Sequence, residues 1–140
     1  LLFRVGEGKQ NQLRLSKYHL SVIDELYNNI DETEVMIKLE EKYEQLHIVW
    51  GAVKDKDQTK VLELLPKNAI YYFCAPNLER AMSANELKEL AQQKSLRGQS
   101  YSSVNDAFLE AKKAANAADF VFVGGSTFVV AEVLSALISE

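Results

Sequence analysis

The run Asp119-Phe-Val-Phe-Val-Gly-Gly-Ser-Thr-Phe-Val-Val-Ala-Glu-Val-Leu134 constrains the fold more than any other stretch. Residues 120–123 are strand formers with no polar break, which suits a strand buried on both faces of a parallel sheet. Gly124 and Gly125 end that strand, and Ser126 or Thr127 stands where a helix N-cap belongs. Phe128 to Ile138 continues as a mostly apolar helix. Two readings of the turn stay open on pattern alone. It is either a tight strand-to-helix turn in which Ser126 caps its own helix, or an anion site made of backbone N–H groups and a hydroxyl.

The same alternation recurs upstream. Leu46-His-Ile-Val-Trp-Gly51 reads as a strand closed by glycine, followed by a charged loop in which Asp57 caps a helix over 58–65 that stops at Pro66. Ala69-Ile-Tyr-Tyr-Phe-Cys74 is a further buried strand. Ser83-Ala-Asn-Glu86 and Ser103-Val-Asn-Asp106 have capping-box spacing ahead of helices expected to reach about Lys94 and residue 117. Gly98 to Tyr101 is a short link or brief strand. At the front, Leu2-Phe-Arg-Val5 suits a short strand and His19-Leu-Ser-Val-Ile-Asp24 another. Asn28-Asn29 suits a turn, and a helix is expected from Asp31. Strands alternating with helices imply one three-layer, Rossmann-like α/β domain over residues 1–140 with a mostly parallel sheet.

Length and charge narrow the partners. A chain of 140 residues with 47% hydrophobic content is about one domain with an ample core. A net charge of −4 with dispersed Lys and Arg argues against nucleic acid or an anionic membrane surface as partner. The lone cysteine, Cys74, lies in an apolar strand and has no disulfide partner, which fits a small core residue and a reducing, cytoplasmic setting. No apolar run is long enough for a transmembrane helix and no signal peptide is visible. The opening Leu1-Leu2, without a methionine, fits a piece of a longer protein.

In such sheets ligands collect where strands end, so three loops qualify: Gly51 to Asp57, Ala75 to Ser83, and Gly124 to Thr127. Asp55-Lys56-Asp57 sets two carboxylates around an amine, suited to a ligand amine or a metal-bound phosphate; a solvated loop with Asp57 as N-cap is the plainer reading. Arg80 is placed for bidentate grip of a carboxylate, although a lone loop arginine is more often a surface residue. His47 reads as half-buried structure, His19 has no nucleophile beside it, and Trp50, Tyr71 and Tyr72 read as core and sheet-face residues. There is no metal-ligand spacing, no nucleophilic triad, no dinucleotide fingerprint and no phosphate loop.

As an ordered set these loops resemble the C-terminal domain of folylpolyglutamate synthase/dihydrofolate synthase, in the Mur ligase superfamily. The residues that carry the resemblance are Leu46 to Gly51 running into Asp55-Lys-Asp57, Leu65-Pro66, Tyr71-Tyr-Phe73, Arg80-Ala81 with Glu86-Leu87, Tyr101-x-Ser103-Val104-x-x-Ala107, and Gly124 to Leu134. The resemblance implies an ATP-dependent ligase in which ATP activates a folate or pteroate carboxyl as an acyl phosphate and the amine of glutamate displaces phosphate. It implies Arg80 and Ser126 as glutamate contacts, with Asp55, Lys56 and Asp57 in the same cleft. ATP, Mg²⁺ and much of the folate site are implied to belong mainly to a larger N-terminal ATPase domain, absent from this chain, so the domain alone should be nearly inert. The family's Asp-x-x-His-Asn motif has its counterpart in Asp24-Glu-Leu-Tyr-Asn28, with Tyr27 in the histidine position, so Asp24 and Asn28 are the implied ATP contacts and residues 1–30 are atypical. The alternatives are a diverged, non-catalytic interaction module of the same fold, and a Rossmann-like domain binding another small anion at Gly124 to Thr127.

Overall fold

The structure, a computed structural model, describes residues 2–5, 13–14, 45–55, 57–116 and 119–138. In chain order the elements are β1 (Leu2–Val5), β2 (Leu13–Arg14), β3 (Leu46–Gly51), α1 (Gln58–Leu64), β4 (Ile70–Cys74), α2 (Ala84–Gln93), β5 (Arg97–Ser100), α3 (Val104–Ala114), β6 (Phe120–Gly125) and α4 (Thr127–Ile138). Among the described residues the sheet runs β2-β1-β6-β3-β4-β5. Strands β6, β3, β4 and β5 are mutually parallel, while β1 adds antiparallel to β6 and β2 antiparallel to β1. The expected strand over residues 2–5 and the brief strand near Gly98 are both present. The strand expected at His19–Asp24, the turn at Asn28-Asn29 and the helix from Asp31 lie outside the described residues.

Alternation along the strands sorts side chains to two faces. Ile48, Trp50, Tyr71, Phe73, Phe120 and Phe122 face one layer, where Leu62 of α1 and Leu87 and Ala91 of α2 cover them. Val49, Tyr72, Cys74, Val121 and Val123 face the other, against Ala107, Phe108 and Ala111 of α3 and Val129 and Val133 of α4. The central strands are therefore covered on both sides, which is why they read as unbroken apolar runs. Each phenylalanine buried this way contributes about 1.5–3 kcal/mol relative to exposure. Strand β5 is polar and half-exposed (Arg97, Gly98, Gln99, Ser100), as suits a sheet edge.

The helix starts follow the caps. Asp57 accepts from the Thr59 N–H at 2.9 Å, Ser83 from Glu86 at 3.1 Å and Ser103 from Asp106 at 3.0 Å, each satisfying a donor of the first turn. Helix α3 is shorter than expected, ending at Ala114 with Ala115 extended. The reason is a local side-chain and backbone closure just beyond the helix. The Asp119 carboxylate accepts from the Asn116 N–H at 2.9 Å, and the Asp119 N–H donates to the Asn116 carbonyl at 2.9 Å, closing a turn that delivers the chain into β6. No helix among the described residues is long and apolar enough to cross a membrane.

His47 is fully buried, not half-buried: it is 2% exposed, with Tyr72 and Asp119 close by. Its Nε2 lies 3.0 Å from the Asp119 carboxylate and its Nδ1 2.8 Å from the Tyr72 hydroxyl. With the carboxylate accepting, Nε2 carries the proton and the phenol donates to Nδ1, so the ring is satisfied on both sides. The network joins β3, β4 and the entry to β6. Burial, then Tyr101, Glu110 and Asp119 nearby, pushes the Tyr72 phenol from 10.0 up to about 12. The folded phenol thus holds its proton more tightly than the unfolded one.

That stabilisation is complete below pH 10 and is lost as pH rises from 10 towards 12, since the unfolded chain gives up the proton first. Tyr72→Phe, which leaves His47 Nδ1 unpaired, should cost about 1–3 kcal/mol at neutral pH. Urea midpoints of the two proteins should converge between pH 10 and 12; a constant gap across that range contradicts the assignment.

Candidate functional site

The parallel strands β3, β4 and β6 end on one side of the sheet, and short backbone contacts tie their loops together. The Lys54 N–H donates to the Arg80 carbonyl at 2.8 Å and the Met82 N–H to the Ala52 carbonyl at 2.9 Å, around an antiparallel bridge between Val53 and Ala81. The β3 and β4 loops are thus zipped into one ledge. On the other side the Ser126 N–H donates to the Gly51 carbonyl at 2.9 Å. That approach needs glycine at 125, which sits at φ +91° with the Gly51 carbonyl where a Cβ would stand. Gly51 is crowded too, since a Cβ there would meet Val129 Cγ2 at 2.7 Å and the Cys74 carbonyl at 2.9 Å.

Between the ledge and the start of α4 lies a cleft of about 600 Å³, lined by Trp50, Ala52, Val53, Asp55, Gln58, Lys60, Val61, Leu64, Arg80 and residues 125–128. Asp55, Arg80 and Ser126, three of the residues singled out in the sequence, meet here. Arg80 Nη1 lies 3.1 Å from the Asp55 carboxylate, with both side chains about half-exposed. Phe128 brings its ring centroid to 5.3 Å from the guanidinium carbon. Asp57 is spent on capping α1 and is not among the residues that line the cleft. Lys56, Asp24 and Asn28 lie outside the described residues.

Ser126 caps α4: its Oγ accepts from the Phe128 N–H at 3.1 Å. Its own N–H is committed to Gly51 and that of Phe128 to the cap, so two donors that a phosphate would draw on are already used. The turn therefore fits a phosphate poorly. The hydroxyl proton of Ser126 and the N–H edge of Arg80 remain suited to a carboxylate. No group of three or more His, Cys, Asp or Glu that could hold a metal occurs among the described residues.

Lys60, Gln58 and Phe128 line the cleft although nothing in the sequence marked them. Lys60 comes from the first turn of α1 and Phe128 from the second residue of α4, so each follows from a cap residue that was legible. Trp50 is buried as expected yet also lines the cleft floor, its Nε1 donating to Gln58 at 3.4 Å. Cys74 is buried, and desolvation, then Glu132 nearby, pushes its thiol from 9.0 up to about 12, which marks it as a core residue and not a nucleophile. A neighbouring cleft of about 800 Å³ lies on the far side of Phe128, between the β4 loop and α4.

A parallel-sheet domain whose strand ends gather an arginine, a carboxylate and a serine-capped helix has counterparts among known proteins. The family profile "Mur ligase, glutamate ligase domain" matches residues 12–127, and the chain belongs to that family. It is of the kind found as the C-terminal domain of folylpolyglutamate synthase/dihydrofolate synthase. A dihydrofolate synthase/folylpolyglutamate synthase of Buchnera aphidicola is 33% identical over 94 residues, covering 65% of this chain and 22% of that protein. Escherichia coli FolC, solved in complex with DHPP and ADP, is 30% identical with a TM-score of 0.68, over 76% of this chain and 25% of that one. A bifunctional folylpolyglutamate synthase/dihydrofolate synthase solved with Mn, AMPPNP and L-glutamate bound is 28% identical with a TM-score of 0.63, over 75% of this chain and 25% of that one. The chain thus matches about a quarter of the length of these relatives.

Two substitutions separate the geometry from the exposed ion pair. Gly125→Ala should lower unfolding free energy by about 2 kcal/mol or more, from the left-handed backbone and the clash with Gly51. Asp55→Asn should change it by less than about 0.5 kcal/mol, because the pair is solvent-screened. Chemical denaturation measures both.

Proposed function

We propose that this chain is the glutamate-binding wall of an ATP-dependent ligase that adds glutamate to a folate or dihydropteroate, and that it is inactive alone. In this reading it is a single C-terminal domain, and a larger N-terminal ATPase domain of the parent protein is its partner. The observation that carries the reading is charge complementarity at the cleft. L-Glutamate presents two carboxylates and one ammonium, and the cleft gathers Arg80 and Lys60 as cations, Asp55 as an anion and the Ser126 hydroxyl as a donor. Support comes also from the solved relative that holds L-glutamate together with a nucleotide analogue and Mn.

The roles follow from the atoms present. Arg80 offers a fork of N–H donors to a carboxylate, and Ser126 donates its hydroxyl proton while still accepting from the helix. Asp55, released from Arg80 when a carboxylate takes its place, is free to accept from the ammonium. Lys56 belongs to the same loop and is assigned to the same cleft. ATP and Mg²⁺ supply carboxyl activation in the parent. Both are assigned mainly to the N-terminal domain, with Asp24 and Asn28 as this chain's candidate nucleotide contacts; the described residues offer no metal cluster, and the Ser126 and Phe128 N–H groups of the turn are already bonded. The chain's share of catalysis is then to hold and orient the incoming amino acid.

The chain alone should not hydrolyse ATP; robust hydrolysis would sink the proposal. Fused to the N-terminal ATPase domain of a folylpolyglutamate synthase, it should support glutamate addition. In that fusion Arg80→Ala should raise KM for glutamate about tenfold to a hundredfold and Ser126→Ala about threefold to tenfold, the cost of losing a hydrogen bond to a charged group. KM for ATP should stay within about twofold. A folded fusion that binds ATP and adds no glutamate would favour a non-catalytic module of the same fold.

A further inference from the structure

We propose that Phe128 is a positioning residue for Arg80: its ring, with the guanidinium carbon held over it, restrains the group so that its N–H donors stay turned to a carboxylate in the cleft. The proposal rests on the carboxylate-binding reading given above. Phe128 is 41% exposed and belongs to neither core cluster, so hydrophobic burial does not account for a large aromatic residue at that place. It lines both clefts and forms the partition between them.

Arginine side chains are long and flexible, and fixing the Arg80 backbone through its carbonyl bond to Lys54 leaves the guanidinium free to wander. Two contacts restrain it, and they use different parts of the group. Asp55 takes one edge donor, Nη1, at 3.1 Å. A ligand carboxylate would compete for that same edge, and the half-exposed pair is weak enough to give way. Cζ lies over the Phe128 ring, 5.3 Å from its centroid, a cation–π contact that does not use Nη1 as a donor. A cation–π contact with an aromatic ring and a hydrogen bond to a carboxylate are compatible, so the ring contact persists when the ligand arrives. The ring is itself placed by the Ser126 cap, because the Phe128 N–H donates to Ser126 Oγ at 3.1 Å. Ser126, Phe128 and Arg80 therefore form one chain of positioning from helix start to guanidinium.

The test uses the full 140-residue chain with Phe128→Leu, Phe128→Tyr and Arg80→Ala, read by NMR in two ways. Without ligand, the Arg80 Nε–Hε signal should be ordered in the wild type, lose heteronuclear NOE and exchange faster in Phe128→Leu, and recover in Phe128→Tyr. In titrations, L-glutamate affinity should fall about two- to fivefold in Phe128→Leu, recover in Phe128→Tyr, and show no further loss when Phe128→Leu is added to Arg80→Ala. An Arg80 signal unchanged by Phe128→Leu, or Leu and Tyr variants equally weakened, would overturn the proposal. An ordered Arg80 that Phe128→Leu loosens, in a wild type that does not respond to glutamate, would uphold the stacking and overturn the carboxylate reading instead.

Discussion

The parallel ladder between β3 and β6 runs from Leu46 opposite Phe120 to Gly51 opposite Gly125, and one further bond, Ser126 N–H to the Gly51 carbonyl, carries the pairing past the strand ends. The geometry of the cleft depends on that last step. It fixes where α4 begins, and so where the Ser126 hydroxyl and the Phe128 ring stand. It also tolerates no side chain at 125, which is why the strand ends on a glycine there. The ledge opposite is set by a second backbone device, the pairing of Ala52–Lys54 with Arg80–Met82. Two elements of backbone hydrogen bonding thus hold the main chain from which the polar side chains of the cleft project.

Much of this was legible because local chemistry and the global fold agree. The double-faced burial of β3, β4 and β6 follows from unbroken apolar runs, and the caps Asp57, Ser83, Ser103 and Ser126 stand where hydroxyls and carboxylates precede helices. Of the two readings left open for the Gly124–Thr127 turn, the cap is present, with Ser126 Oγ accepting from the Phe128 N–H. What stayed illegible depends on particular side-chain partners that hydrophobic periodicity does not announce. His47 looked half-buried because nothing local announces that Asp119 lies across the β3–β6 ladder from it. The Ala-rich stretch after α3 reads as helix, yet Asn116 and Asp119 close a turn there because β6 must begin. Phe128 looked like one more apolar residue of a helix, and only its distance to Arg80 sets it apart.

The polar content of the fold is divided between two ends. The buried His47–Tyr72–Asp119 network is satisfied internally and ties three strands together at their entry. The cleft at the strand exits keeps Asp55 and Arg80 about half-exposed, in a solvent-screened pair. A buried, closed network serves specificity of packing, while groups held in place but left exposed are those available to a ligand.

Whether the cleft between the ledge and α4 is where the amino acid sits can be read directly from transferred NOEs between ¹³C-labelled L-glutamate and the protein. The account predicts contacts from the glutamate methylenes to the methyl groups of Val53 and Val61, both of which line that cleft. Contacts to Ala131 and Ala136 in the neighbouring cleft, or none at either place, would contradict it.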